Sequence, residues 1–179
     1  MTDRASADIP SLVHGQTWEQ MTVGSAFRTA ARTVTETDLV TFITWGGFTE
    51  PLFYDASHAS AGGYTGRLLP GAMVYCIGEG LVLQTNVLHG TGLAFMSMNL
   101  SVQAPSYVGD TLHVEVEVLE ARPASRGSRG VVTTRNTIRN QNREAVLVSM
   151  PVRLIRGREY VDAAAGQKVA PAAAAPPPL

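Results

Sequence analysis

Five residues, Arg67-Leu68-Leu69-Pro70-Gly71, introduce a run from Ala72 to Leu83 that is almost wholly apolar. Glu79 is the only charged group between Pro70 and Thr85. Read as a helix opened by Pro70 and Gly71 and running to about Thr85, the segment has no polar face. A helix of that kind is normally buried on all sides. A chain of 179 residues must therefore wrap it in something else. Four long segments of strand character follow it, so the natural wrapper is an antiparallel sheet. The predicted class is α+β, a single domain with a central buried helix enclosed by about five antiparallel strands.

The period changes to two after the helix. Met96, Met98, Leu100 and Val102 alternate with Ser97, Asn99, Ser101 and Gln103, and Leu112, Val114, Val116 and Val118 alternate with His113, Glu115 and Glu117. Such alternation predicts half-buried antiparallel strands. Pro105 to Asp110 reads as a turn signalled by Gly109-Asp110, and Ala121 to Arg129 as a polar loop. Val131 to Ile138 is a further strand, and Asn140-Gln141-Asn142-Arg143 a hairpin turn. Ala145 to Ile155 closes the sheet, with Val146, Val148, Met150, Val152 and Leu154 on one face. Pro151 in that run predicts an edge position or a bulge, because proline cannot donate to a ladder.

Ahead of the helix, Phe27 to Val34 has strand character. Thr35-Glu36-Thr37-Asp38 is a capping-box pattern that starts a helix ending at Gly46-Gly47. Pro51 to Tyr54 reads as a short extended stretch. Asp55 is a good N-cap for a second short helix that stops at Gly62-Gly63. Residues 1–12 read as a flexible leader, 13–161 as the folded domain and 162–179 as a disordered Ala/Pro-rich tail that cannot build a core.

Composition narrows the function classes. Charged residues are 16% of the chain and the net charge is −1, with no basic run, so nucleic acid is not the expected partner. The thin charge leaves room for a large apolar interface with another subunit. One cysteine, Cys76, allows no internal disulfide and no cysteine-based metal site. No stretch of 18 apolar residues predicts a membrane span, and residues 1–10 lack the apolar core of a signal peptide. A cytoplasmic protein is expected. His14, His89 and His113 are scattered without metal-like spacing, so no metal and no cofactor are expected.

Four stretches together carry a resemblance: Arg32 to Phe42, Pro51-Leu52-Phe53-Tyr54-Asp55, Arg67 to Gly71, and Tyr107-Val108-Gly109-Asp110-Thr111-Leu112. In order and spacing the chain resembles the MaoC-like dehydratases, a family with the hot-dog fold that includes (R)-specific enoyl-CoA hydratases. The resemblance implies a single hot-dog domain, subunits that pair through their sheets, and a ligand that is an acyl-CoA or related thioester. It implies a homodimer or higher homo-oligomer, with a heteromer containing an active dehydratase subunit as the other arrangement. It also exposes a departure. Active hydratases carry Gly-Asp-x-Asn-Pro-Leu-His-x-Asp, whose first Asp and His activate water. This chain reads Gly46-Gly47-Phe48-Thr49-Glu50-Pro51-Leu52-Phe53-Tyr54-Asp55. Phe53 stands in place of the His, Gly47 or Phe48 in place of the Asp, and none of these can move a proton.

The candidate site residues follow from that departure. Gly71 lies in the first helical turn, where backbone N–H groups lack partners and the dipole favours negative charge. The resemblance implies that its N–H meets the thioester carbonyl; otherwise it only permits tight packing after Pro70. Phe53 and Tyr54 are expected to line the substrate site, with core or rim packing as the other reading for Tyr54. Three residues are candidates for acid–base or nucleophilic work. Glu50 lies in the altered loop, where a solvated carboxylate is the plainer reading. His58 sits one turn into the short helix, within reach of Asp55. Glu79 resembles the helix acid of hot-dog thioesterases, or is a paired structural carboxylate. Arg67, Arg126, Arg129 and Arg143 are loop or turn cations available to coenzyme A phosphates. Three functions stay open: a hydratase with a non-standard site, a thioesterase using Glu79, and a non-catalytic thioester-binding or partner subunit.

Overall fold

Thr35 sets where the first helix begins. Its backbone N–H donates to Asp38 Oδ2 at 2.8 Å, and the Asp38 N–H donates back to Thr35 Oγ1 at 3.3 Å. This reciprocal cap opens α1, Glu36–Gly46, which ends on Gly47 in the left-handed conformation at φ 67°. The computed structural model describes residues 13–125 and 127–159. The expected leader, the Ala/Pro-rich tail and Arg126 lie outside these residues.

The stretch after α1 departs from the extended reading. Pro51–Tyr54 is a short helix, α2, with Pro51 at its first position. The proline ring presets φ for a helix start, and its missing N–H is one that would lack an intrahelical partner anyway. Asp55 then caps α3, Ala56–Ala61, accepting from the Ser57 N–H at 2.8 Å and the His58 N–H at 3.2 Å.

The long apolar run forms α4, Gly71–Gln84. It lies on a sheet of β1 (Ala26–Arg28), β2 (Arg32–Thr33), β3 (Gly92–Val102), β4 (Thr111–Pro123), β5 (Arg129–Arg139) and β6 (Ala145–Arg156). The expected first strand is thus two short pieces, which pair with β4 one after the other. Strand order is β1-β4-β5-β6-β3, and every pairing is antiparallel. Met73, Val74, Leu81 and Val82 of α4 pack on Val114, Val116, Ile138 and Leu147. The helix comes very close at Gly78, where a Cβ would stand 2.3 Å from Ile138 Cδ1.

Burial on all sides does not hold within one chain. Ala72, Cys76, Leu83 and Gln84 are exposed, because the sheet covers only one side of α4. The same gap leaves β3 as an open edge on which Phe95, Met96, Leu100 and Val102 are 40–56% exposed.

The inward residues of β4 are Leu112, Val114, Val116 and Val118, as the alternation predicts. The expected loop from Ala121 is mostly sheet: Ala121, Arg122 and Pro123 pair with Val132, Val131 and Gly130. In β6 the face turned to the core is Ser149, Pro151, Arg153 and Ile155, while Val148, Met150, Val152 and Leu154 are half-buried on the other face. Pro151 sits in an interior strand rather than at an edge. On the β5 side the ladder skips from Thr133–Val152 to Asn136–Ser149. On the β3 side a register shift falls between Phe95 and Ser97. These interruptions take up the proline's missing donor.

Candidate active site at the start of the central helix

Pro70 places Gly71 at the first turn of α4, and the incoming chain is held firmly. The Leu69 N–H donates to Ser106 O at 2.8 Å, the Leu68 N–H donates to Leu52 O at 3.3 Å, and Leu68 forms a bridge with Tyr107. A Cβ on Gly71 would meet Val102 Cγ2 at 2.9 Å, so glycine is needed for the helix start to approach β3. Beside it lies a cavity of about 170 Å³, lined by Phe53, Leu68, Gly71, Val102, Ser106 and Leu147 among others. Phe53 reaches it from α2 at the end of an aromatic row. Phe42 and Phe48 have ring centroids 5.2 Å apart, and Phe48 meets Phe53 edge-on at 6.0 Å.

No Asp, Glu, His, Lys, Arg, Tyr or Cys lines this cavity among the described residues. What it offers is an apolar wall and the N-terminal turn of a 14-residue helix. Such a turn can polarise a carbonyl through its free N–H groups and dipole. It cannot by itself move a proton.

The structure gathers Gly71 and Phe53, and α2 carries Glu50 and Tyr54 close by in sequence. Glu50 is the N-cap residue of α2, is exposed, and makes no side-chain capping bond. Tyr54 is 53% exposed. His58 is exposed on α3 and touches Asp55 only through its backbone N–H. That N–H, with that of Ser57, holds the Asp55 carboxyl below the usual range.

Glu79 lies eight residues beyond Gly71, roughly 12 Å up the helix axis. Its two oxygens accept from Arg153 Nη2 at 2.7 and 2.6 Å. The Arg153 guanidinium carbon also sits 5.4 Å from the Phe95 ring centroid. One turn back, burial and then the Glu79 charge push the Tyr75 hydroxyl up to about 12. Arg153 escaped the sequence reading; its signal was a lone cation inside an apolar strand. Of the loop cations, Arg67 pairs with Glu36. Arg143 is exposed in the last hairpin, at φ 64°.

One helix laid against a five-position antiparallel sheet, with its N-terminal turn opening on an apolar cavity, defines a hot-dog domain. The chain belongs to the FAS1-like dehydratase domain region family, whose profile matches residues 6–148. It is 28% identical over 100 residues to the 3-hydroxyacyl-[acyl-carrier-protein] dehydratase FERN of Solanum lycopersicum, a mitochondrial protein. That match spans 56% of this chain and 58% of the tomato protein. A MaoC-like dehydratase from Rhodospirillum rubrum superposes with a TM-score of 0.73 at 28% identity, over 80% of this chain and 99% of that one. The HadBC (3R-hydroxyacyl-ACP dehydratase) complex of Mycobacterium tuberculosis shares the fold at 19% identity and a TM-score of 0.63, over 74% and 96%. Among the described residues no helix is long and apolar enough to cross a membrane.

Proposed function

We propose that the chain is the thioester-binding member of a hydratase or dehydratase assembly. Its ligand is an acyl or enoyl thioester of coenzyme A or an acyl carrier protein. The thioester carbonyl accepts from the Gly71 N–H, and the acyl carbons next to it lie against Phe53. The observation that carries this reading is the cavity itself: a polarising helix turn with no proton-moving side chain on its wall. Water addition or loss needs a base and an acid within hydrogen-bond reach of one water. On this reading a second subunit supplies them. The open β3 edge, with its apolar Phe95, Leu100 and Val102, supports a site completed by another chain. The tuberculosis dehydratase named above is itself a complex. The partner in such a site is a different subunit, one that keeps the Asp/His pair this chain lacks.

A second reading keeps catalysis within the chain. Glu50 caps the helix that carries Phe53, and its carboxylate, unused in capping, serves as the acid or base. The thioesterase reading would need Glu79, which is engaged by Arg153.

One panel separates these readings. The purified protein is incubated with crotonyl-CoA, 3-hydroxybutyryl-CoA and butyryl-CoA while enoyl absorbance, free thiol and binding heat are followed. The proposed role gives binding without turnover, and hydration on adding a hot-dog dehydratase subunit with the intact Asp/His signature. Hydration by the isolated protein that is lost in Glu50→Gln transfers the function to the second reading. Thiol release lost in Glu79→Gln establishes the thioesterase.

A further inference from the structure

A second cavity, of about 240 Å³, lies under the far half of α4. It shares no lining residue with the one at Gly71. Its walls are mostly apolar, Met21, Val82, Val118 and Ile155 among them, and Arg153 and Thr134 enter them from β6 and β5. Arg153 is 7% exposed, so its guanidinium is nearly out of water. Glu79 takes only the Nη2 donors. A guanidinium has five N–H donors. The Nε donor and both Nη1 donors find no acceptor among the described residues. These nitrogens are not sealed from solvent, so they stay free to donate to a molecule that enters the cavity Arg153 lines. The exposed Gln16, Gln20, Thr22 and Ser25 also line it, so apolar walls meet several polar groups, the usual form of a small-molecule site.

We infer that this cavity binds a small, neutral, mainly apolar molecule or chain end whose carbonyl or hydroxyl oxygen accepts from Arg153. Charge decides between neutral and anionic ligands. Arg153 and Glu79 already cancel, so a carboxylate would bury an uncompensated negative charge, which a low-dielectric interior resists. A neutral oxygen satisfies the spare donors without adding charge. The site is independent of the reading proposed for Gly71.

The test uses the full chain carrying ¹³C-methyl methionine, with Met21 as reporter and the other methionines as controls. Three probes of matching size are titrated: 2-heptanone, its alkene isostere 2-methyl-1-heptene, and heptanoate. The Met21 methyl signal is expected to shift and saturate with 2-heptanone, while the alkene and heptanoate bind at least about tenfold more weakly. Glu79→Gln leaves Arg153 unbalanced, and the preference should invert toward heptanoate. A double variant, Glu79→Leu with Arg153→Met, replaces the ion pair with apolar groups, an exchange that often keeps stability. It should bind ketone and alkene alike. A Met21 signal that moves with no probe overturns the inference, as does equal binding of ketone and alkene by the wild-type chain. Should either variant fail to fold, the wild-type comparison decides alone.

Discussion

At Gly78 α4 leaves no room for a side chain against the sheet, which makes a signed prediction. A Cβ added there would lie 2.3 Å from Ile138 Cδ1 and 2.9 Å from its Cγ1, while Val114 stays at an ordinary 3.5 Å. Two effects oppose in Gly78→Ala. Alanine favours the helix by about 1 kcal/mol over glycine. Overpacking a close-packed core costs about 1–3 kcal/mol. The clash involves two atoms of a side chain that is 1% exposed, so overpacking should win and leave a net loss of about 1 kcal/mol. Ile138→Val removes Cδ1 and alone costs about 0.5–1.5 kcal/mol. In that background the 2.9 Å contact with the γ carbon remains, so Gly78→Ala should cost less than in the wild type without becoming free of strain, a favourable coupling of about 1 kcal/mol. Urea unfolding midpoints for the four proteins, at one subunit concentration and with unchanged m-values, measure this cycle. If Gly78→Ala stabilises the wild-type background, or its effect is the same in both, then the helix does not sit as close to β5 as argued.

Three further outcomes follow from the same geometry. Tyr75 ionises near 12 in the folded chain against about 10 unfolded, so its contribution is intact below pH 10 and is lost as pH rises from 10 toward 12. Urea midpoints of the wild type should therefore fall relative to Tyr75→Phe across that window, and parallel curves would refute the burial of Tyr75. Phe53→His alone should give no crotonyl-CoA hydration in the isolated protein, since the cavity wall holds no acid to pair with the new imidazole; measurable loss of enoyl absorbance would contradict this. Leu100→Lys puts a charge on the open β3 edge, and light scattering should show a smaller particle than the wild type. An unchanged mass would refute the β3 edge as a subunit contact.

What the sequence disclosed and what it hid divide along physical lines. Local signals were legible: the Thr35/Asp38 box and the Asp55 cap each need only a hydroxyl or carboxylate within three residues of a free N–H. The central helix was legible because so long an apolar run has few places to go. Pro51–Tyr54 was not, since a proline suits a helix start as well as an extended stretch, and Leu68, far along the chain, donates to Leu52 there. The inward face of β6 was hidden for a related reason. Val148, Met150, Val152 and Leu154 look like the core side, yet register with Ile138 and Val132 turns Leu147 and Arg153 inward. An arginine is tolerated there only because Glu79, 74 residues away, faces it across the helix–sheet gap. Two residues that each look misplaced in sequence, one acid in an apolar helix and one base in an apolar strand, thus explain each other. The same logic bears on the site. Phe53 looks like a loss where a proton-moving histidine is expected, yet it ends an aromatic row and adds an apolar ring to the cavity beside Gly71. An apolar wall strengthens the pull of the helix turn on a carbonyl. On the proposed reading, Phe53 therefore keeps a wall suited to a thioester while offering no group that could move a proton.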